Sequence, residues 1–179
     1  MQIKKTPLSG CFYFEVEEIR DNRGFFARRF GCDDLARYDL TADFVQGNLS
    51  FNHKRGTLRG LHYQRAPFAE IKLVSCTRGS IFDVAVDLRP HSPTFKKYFG
   101  LELSADNRRS LYIPHGFAHG YQTLTDQTEV SYLVSQYYHP EAEAGVRYND
   151  PAMGIKWPIT DNLVLSARDK GFADFEPKL

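Results

Sequence analysis

The segment Arg59-Gly60-Leu61-His62-Tyr63-Gln64 contains the first residue suited to proton transfer. An imidazole exchanges protons near neutral pH, so His62 fits general acid–base chemistry. In a strand, Gly60, His62 and Gln64 would share one face, with Arg59 on the other, and the glycine would leave room for a ligand. A hydrogen-bonded core histidine fits the same pattern. The segment alone therefore allows a base or a structural residue.

A lysine and three tyrosines offer further chemical groups. Lys72 lies in the largely apolar stretch 70–77, where it either extends to solvent or turns inward to bind an anion. Its apolar surroundings favour the second role. Tyr132, Tyr137 and Tyr138 each fit an aromatic core or surface position, and each also carries a phenol that can donate a proton.

Two histidines stand four residues apart, a spacing that can bind a metal on a helix. They are His115 and His119, and Pro114, Gly116 and Gly120 surround them. Proline and glycine disfavour a helix. We therefore expect a turn that leads into a strand, with His119 near the start of that strand, and no metal site.

Short strands separated by turns must position these residues. Within 80–88, apolar residues alternate with Asp83 and Asp87, so the two aspartates are expected on the same face. A short helix is expected at 33–38, and an irregular C-terminal stretch with a solvated turn at 166–169. The predicted strands are 11–19, 25–30, 46–52, 57–64, 70–77, 80–88, 99–103, 109–113, 118–123 and 128–135.

The composition of the chain agrees with an all-β fold. Aromatic residues make up 14% of its 179 residues, and 13 glycines and 9 prolines supply turns. We expect one domain, residues 1–179, folded as a sandwich or barrel such as a jelly roll. We find no internal repeat and no linker-like stretch that would divide it.

Charge and cysteine content exclude several classes of function. Lys and Arg number 23 against 22 Asp and Glu, so no basic field exists for nucleic acid or an anionic membrane surface. The three cysteines are an odd number without a C-x-x-C motif, which indicates neither a disulfide framework nor a zinc finger. No signal peptide or membrane span is evident, and a cytoplasmic location is expected.

Many motifs follow one another in the order and spacing of a single family. They are Asp21-x-Arg23-Gly24, Gln46-x-Asn48-x-Ser50, Gly56 to Gln64, Lys72-Leu73-Val74, Asp83-Val84-x-Val86-Asp87-Leu88-Arg89, Ser92-Pro93-Thr94, Pro114-x-Gly116-Phe117-Ala118-His119-Gly120, Tyr132, Tyr138, Asn149-Asp150-Pro151, Trp157-Pro158 and Leu165-Ser166-x-x-Asp169. Together they resemble the dTDP-4-dehydrorhamnose 3,5-epimerases of the cupin superfamily over nearly the whole chain. The resemblance implies an all-β, cupin-type jelly-roll barrel with a few short peripheral helices. It also implies a homodimer that exchanges N-terminal strands.

The same resemblance implies the reaction and its catalytic residues. The family inverts C3 and C5 of dTDP-4-dehydro-6-deoxy-D-glucose through an enolate, which gives dTDP-4-dehydro-L-rhamnose without cofactor or metal. By resemblance, His62 is the base, Tyr132 is the acid on the opposite face, and Asp169 orients His62. Lys72 would lie near the ketone oxygen, where a cation favours enolate charge. Asp83 is an alternative partner for His62.

The family pattern also assigns residues that bind the sugar nucleotide, with Tyr138 stacking on the base. Arg28 stands where a glutamate is usual, Arg168 where a lysine is usual, and Glu70 where a glutamine is frequent. The reversed charge at Arg28 leaves the nucleotide base open. The binding residues implied are Arg23, Arg28, Gln46, Asn48, Arg59, His119, Tyr138, Glu143 and Arg168.

Three other functions are alternatives to this one. A metal-dependent cupin oxygenase would need a second ligand beside His62, where the chain has Gln64, and Lys72 would place a cation in its cavity. A sugar-binding module without catalysis would have no need of His62, Tyr132 and Asp169 together. An epimerase that inverts only C5 or only C3, or that takes another nucleotide, would use the same chemistry.

Overall fold

The computed structural model describes residues 1–41 and 43–176, and most of its regular structure is β-strand. Two short helices flank the strands: α1 (Cys32–Ala36) and α2 (Ala167–Lys170). The strands are β1 (Gln2–Lys5), β2 (Phe12–Glu15), β3 (Ile19–Asp21), β4 (Gly24–Phe26), β5 (Gln46–Asn52), β6 (Leu58–Gln64), β7 (Lys72–Arg78), β8 (Ser80–Asp87), β9 (Tyr98–Ser104), β10 (Ser110–Ile113), β11 (Phe117–Thr123), β12 (Thr128–Val134) and β13 (Glu143–Gly145).

Two antiparallel sheets form a jelly roll, which confirms the predicted fold class. The six-stranded sheet has the order β1-β2-β10-β7-β12-β5, and the five-stranded sheet has the order β13-β6-β11-β8-β9. Strands β3 and β4 form a separate hairpin. None of the helices within the described residues is long and apolar enough to cross a membrane.

Apolar residues pack in three clusters, one between the sheets and one on the outer face of each. The inner cluster includes Ile81 and Ala85 of β8, whereas Val84 and Val86 belong to the outer cluster with Trp157. The predicted alternation in β8 is therefore confirmed. The third cluster covers the six-stranded sheet and contains Phe12, Phe14, Leu35, Ile71, Leu73 and Tyr112. Both faces of the two sheets therefore bury apolar side chains.

The shortest elements differ from the sequence prediction. The predicted strand 11–19 divides into β2 and β3, and the predicted strand 25–30 ends at Phe26. Strands β1 and β13 and helix α2 were not predicted, because three or four residues are too few to show a period. The predicted solvated turn at 166–169 is wrong. Ser166 caps α2 by accepting a hydrogen bond from the Asp169 N–H at 3.0 Å, and Asp169 is buried.

The predicted faces of β6 are wrong at Arg59. In the pairing with β11, His62 lies opposite His119 and Arg59 lies opposite Tyr121. Two residues therefore lie between the inward positions on β6, against one on β11, so Arg59 faces inward like His62.

Gly60 lies at this irregularity and makes a close backbone contact, so its role is not to leave room for a ligand. Its φ is +124°, and a Cβ there would be 2.6 Å from the Cα of Gly120. Only glycine combines that φ with that approach.

Candidate active site

A cavity of about 260 Å³ opens between the two sheets at one end of the sandwich. Strands β5, β7 and β12 form one wall, and β6 and β13 form the other. Its lining residues are Gln46, Asn48, His62, Tyr63, Gln64, Glu70, Lys72, Tyr132, Val134, Gln136, Tyr138 and Glu143. The cavity thus brings together three of the four residues expected to be catalytic.

The fourth, Asp169, lies directly behind His62. Oδ1 of Asp169 is 2.8 Å from Nε2 of His62, and Oδ2 accepts a hydrogen bond from the Gly60 N–H at 3.3 Å. Burial opposes ionisation of Asp169, but its hydrogen bond and charge interaction with His62 hold its pKa below the ordinary value. An ionised carboxylate only accepts, so Nε2 of His62 carries the proton and Nδ1 is the nitrogen left to take another.

Asp83, the alternative partner of His62, contacts a different histidine. Its Oδ1 is 2.8 Å from Nε2 of His119, and both residues are buried. His119 lies opposite His62 in the sheet but does not line the cavity. His115 contacts the carbonyl of Ala69 through Nδ1 in the turn before β11, as expected of a turn and strand rather than a helix. Across residues 1–41 and 43–176, no three His, Cys, Asp or Glu side chains cluster in a way that could hold a metal.

Tyr132 reaches the cavity from the opposite wall to His62. It lies on β12 in the six-stranded sheet, whereas His62 lies on β6 in the five-stranded sheet. Burial raises the pKa of its phenol, and the nearby Tyr121 and Glu70 raise it further. Tyr132 is therefore protonated near neutral pH and has a proton to donate.

Lys72 turns into the cavity rather than to solvent. Its side chain is 11% exposed, and its Nζ is 3.0 Å from Oε1 of Glu70, which is similarly buried. Lys72 lies on the same wall as Tyr132. The ion pair thus places a cation and its balancing carboxylate on this wall of the cavity.

A chain of polar contacts joins the rim of the cavity to α2. The Tyr138 hydroxyl donates to Oε2 of Glu143 at 2.5 Å, and the other oxygen of Glu143 pairs with Arg168. Arg168 directly precedes Asp169 on α2. The rim and the carboxylate behind His62 are thus parts of one connected structure.

Comparison with known proteins places this geometry in a family. The family model described as dTDP-4-dehydrorhamnose 3,5-epimerase matches residues 5–176. The chain belongs to this family. Its members are isomerases, so the enzyme class expected from the sequence is confirmed.

Relatives in the family match over nearly their full length. The dTDP-4-dehydrorhamnose 3,5-epimerase of Escherichia coli strain K12 is 43% identical over 173 residues, which cover 95% of this chain and 92% of the relative. The crystal structure of the enzyme from Elizabethkingia anophelis has a TM-score of 0.95 at 40% identity, covering 98% of this chain and 96% of that one. The dTDP-6-deoxy-D-glucose-3,5-epimerase of Legionella pneumophila, solved in complex with dTDP-4-keto-L-rhamnose, has a TM-score of 0.90 at 39% identity, covering 97% and 92%.

The binding residues expected for this epimerase family divide into two groups. Gln46, Asn48, Tyr138 and Glu143 line the cavity, and Gln46 Nε2 donates to Oδ1 of Asn48 at 2.8 Å. The other five do not line it within this chain; they are Arg23, Arg28, Arg59, His119 and Arg168.

The residues outside the lining differ in their partners and exposure. Arg59 faces inward and its Nε donates to Oδ1 of Asn52 at 2.8 Å. Arg23 and Arg28 are exposed and pair with Asp21 and Asp34. Both arginines therefore lie outside the cavity lining of their own chain.

Gln64 is a cavity residue whose role the sequence analysis did not predict. Its buried amide donates to the carbonyls of Phe68 and Tyr137 at 3.0 and 3.1 Å, and its carbonyl accepts from the His139 N–H at 2.7 Å. It thereby ties together the loops before β7 and after β12. The alternation that placed Gln64 on the face of His62 was the available signal.

Proposed function

We propose that this chain inverts C3 and C5 of dTDP-4-dehydro-6-deoxy-D-glucose to give dTDP-4-dehydro-L-rhamnose, with His62 as base and Tyr132 as acid. The observation that carries the proposal is the position of these two groups on opposite walls of one cavity. Inversion requires a proton to leave one face of a carbon and another to arrive at the other face. Two proton-transfer groups on facing sheets meet that requirement.

The first step removes a proton from a carbon beside the ketone. The C–H bond breaks, its proton goes to Nδ1 of His62, and its electron pair passes to the ketone oxygen as an enolate. The ionised Asp169 stabilises the imidazolium that forms. Lys72 stabilises the charge on the oxygen, and one such interaction typically lowers the barrier by about 2.7–4 kcal/mol.

The second step returns a proton from the opposite face. The Tyr132 hydroxyl donates it to the same carbon, and the enolate electrons re-form the ketone. Exchange with solvent then restores the proton on Tyr132 and removes the one on His62. Each inversion therefore places one solvent-derived hydrogen on the sugar.

The remaining binding residues are assigned to the nucleotide. Arg59 is suited to the diphosphate, since a guanidinium binds phosphate oxygens in pairs. Tyr138, half exposed at the rim, offers its ring to the base. Gln46 and Asn48 present amides on the wall that carries Tyr132. The other assigned residues are Arg28, His119, Glu143 and Arg168.

A homodimer would complete the site. Ile19 and Phe26 are each 70% exposed on the β3–β4 hairpin, and Leu49 is 66% exposed on the edge strand β5. An isolated hairpin is marginal in water and needs a surface to pack on. We propose that residues 1–179 of each chain form one domain. In the dimer, the hairpin of one chain would cover β5 of the partner and bring Arg23 to the partner's cavity.

The proposed compartment is the cytoplasm. The thiols of Cys11 and Cys76 are free and buried within the sandwich, and that of Cys32 is free and exposed. Free thiols favour a reducing compartment.

Deuterium exchange tests the proposed reaction. In heavy water, the wild-type protein should place deuterium at C3 and C5 of dTDP-4-dehydro-6-deoxy-D-glucose and form the inverted product, as read by NMR. His62→Ala should lose exchange at both carbons while dTDP binding persists. His91→Ala, at an exposed histidine outside the cavity, is the matched control.

The outcomes separate the rival functions. Exchange that survives in His62→Ala contradicts the assignment of the base. Deuterium at only one carbon contradicts inversion of both centres. Binding of the sugar nucleotide without any exchange in the wild-type protein contradicts catalysis.

A further inference from the structure

Phe172 lies against the imidazole of His62. The two ring centroids are 5.7 Å apart and the rings are inclined by 71°, an edge-to-face arrangement. Phe172 follows Asp169 by three residues, just after the end of α2. One short segment therefore contacts the same imidazole twice, by a carboxylate at Nε2 and by an aromatic ring at its side.

Gly145 provides the space that Phe172 occupies. Gly145 lies on β13, directly opposite His62 in the register. A Cβ on Gly145 would overlap the Phe172 ring. The φ of Gly145 is outside the left-handed region, so its backbone does not require glycine. The requirement comes from the neighbouring ring.

Further contacts hold Phe172 in this position. The Arg168 guanidinium lies 5.8 Å from the centroid of its ring, and Arg168 is itself paired with Glu143. The N–H of Arg147 donates to the carbonyl of Ala173 at 3.0 Å, which ties the chain after Phe172 to the segment that directly follows β13. The ring is thus fixed from both its side chain and its backbone.

We propose that Phe172, seated over Gly145, is a positioning residue for the base. A single hydrogen bond at Nε2 leaves the imidazole some freedom to turn about its Cβ–Cγ bond. Contact with Phe172 restricts this rotation and so directs Nδ1 toward the reacting carbon. The inference rests on the proposed function of His62, since an orientation of Nδ1 matters only where Nδ1 takes a proton.

Kinetics of Phe172→Ala test the proposal first. We expect kcat to fall roughly tenfold to a hundredfold, the usual cost of misplacing a catalytic group. KM should stay within about twofold, because binding rests on other side chains. Phe172→Leu should recover part of kcat by restoring apolar bulk. The matched control is Phe175→Ala, three residues further on, whose ring packs on Phe95 at 6.2 Å.

A double-variant comparison tests whether Gly145 acts by leaving space for the Phe172 ring. Gly145→Ala should lower kcat because the new methyl displaces Phe172. In the combined variant Gly145→Ala with Phe172→Ala the clash is absent, so kcat should be no lower than in Phe172→Ala alone. Effects that simply multiply, or a Phe172→Ala enzyme with wild-type kcat, would overturn the proposal.

Histidine-ring NMR of the free protein tests the same proposal without turnover. In the wild-type protein the His62 ring should carry its proton on Nε2 and give one sharp set of signals. In Phe172→Ala the set should broaden or shift, and in Phe175→Ala it should not. Unchanged His62 signals in Phe172→Ala would refute the positioning role, whereas failure of wild-type exchange in heavy water would refute the proposed function.

Discussion

At the residue scale, His62 and Tyr132 have different surroundings, and each fits the role proposed for it. Asp169 stays ionised behind His62 and supports a positive imidazolium. Burial around Tyr132 keeps its phenol protonated. These surroundings fit the roles proposed for the two groups, His62 to receive a proton and Tyr132 to donate one.

Removal of the Tyr132 hydroxyl should separate exchange from inversion. Tyr132→Phe keeps the ring but has no proton to give, so the enolate should take its proton back from His62 on the same face. In heavy water we expect deuterium in unchanged substrate and little inverted product, read by NMR. Tyr137→Phe, at an exposed tyrosine outside the cavity lining, is the control.

Two results would contradict this division of roles. One is inversion at the wild-type rate by Tyr132→Phe. The other is a loss of exchange as complete as in His62→Ala, because the first proton transfer does not need the phenol.

Site residues could be predicted from the sequence where they belong to a motif of the family. The expectation that His62, Tyr132 and Lys72 meet in one site came from the resemblance of their motifs to the epimerase family. The choice between Asp83 and Asp169 could not be made, because both are aspartates that only the folded chain brings near a histidine. Phe172 showed no signal, since its contact depends on a four-residue helix.

At the element scale, the side chain of Gln64 connects two loops through hydrogen bonds. One loop leads to Glu70 and Lys72, and the other carries Tyr138. All three of its contacts are with backbone groups. The side chain at this position therefore influences both the wall and the rim of the cavity.

Replacement of Gln64 by glutamate should destabilise the protein. Gln64→Glu retains an acceptor for the His139 N–H but points a carboxylate oxygen at the carbonyls of Phe68 and Tyr137. We expect the free energy of unfolding in urea to fall by about 1–3 kcal/mol. Gln127→Glu, at an exposed glutamine before β12, makes the same chemical change as a control. Equal stability of Gln64→Glu and wild type would argue against the role of Gln64 between the loops.

The longer strands were predictable because alternation is clear over seven or eight residues. β5 matches its prediction of 46–52, and β8 and β12 end within one residue of theirs. The inward direction of Arg59 was not predictable, because one extra residue in β6 changes the faces of all residues before it. The close Gly60–Gly120 contact lies at this irregularity, and it joins two strands that are far apart in the sequence.

At the scale of the whole molecule, assembly can be tested through the exchanged hairpin. The chain has a mass of 20.6 kDa, and light scattering should give about twice that value for the wild-type protein. The combined variant Ile19→Asp with Phe26→Asp should be a monomer, because charges on the exposed hairpin would prevent it from packing. A wild-type monomer would contradict the proposed dimer.

Mixed subunits can show which cavity Arg23 serves. Arg23→Ala and His62→Ala should each be nearly inactive alone. In a mixed dimer, the subunit with an intact His62 would receive Arg23 from its partner. Refolding an equal mixture should therefore restore roughly a quarter of wild-type activity. If Arg23 served its own cavity, mixing would restore nothing.

The contact between Gly60 and Gly120 limits how this site can be re-engineered. A Cβ on Gly60 would meet the backbone of β11, and a Cβ on Gly120 would lie 2.8 Å from the carbonyl oxygen of Arg59. Randomising these two positions in a library would yield mostly unfolded clones. On the facing wall, Gln46 and Val134 already carry side chains that line the cavity. Laboratory evolution toward another sugar nucleotide would therefore gain variety from the six-stranded sheet, while the sheet that holds the base stays constant.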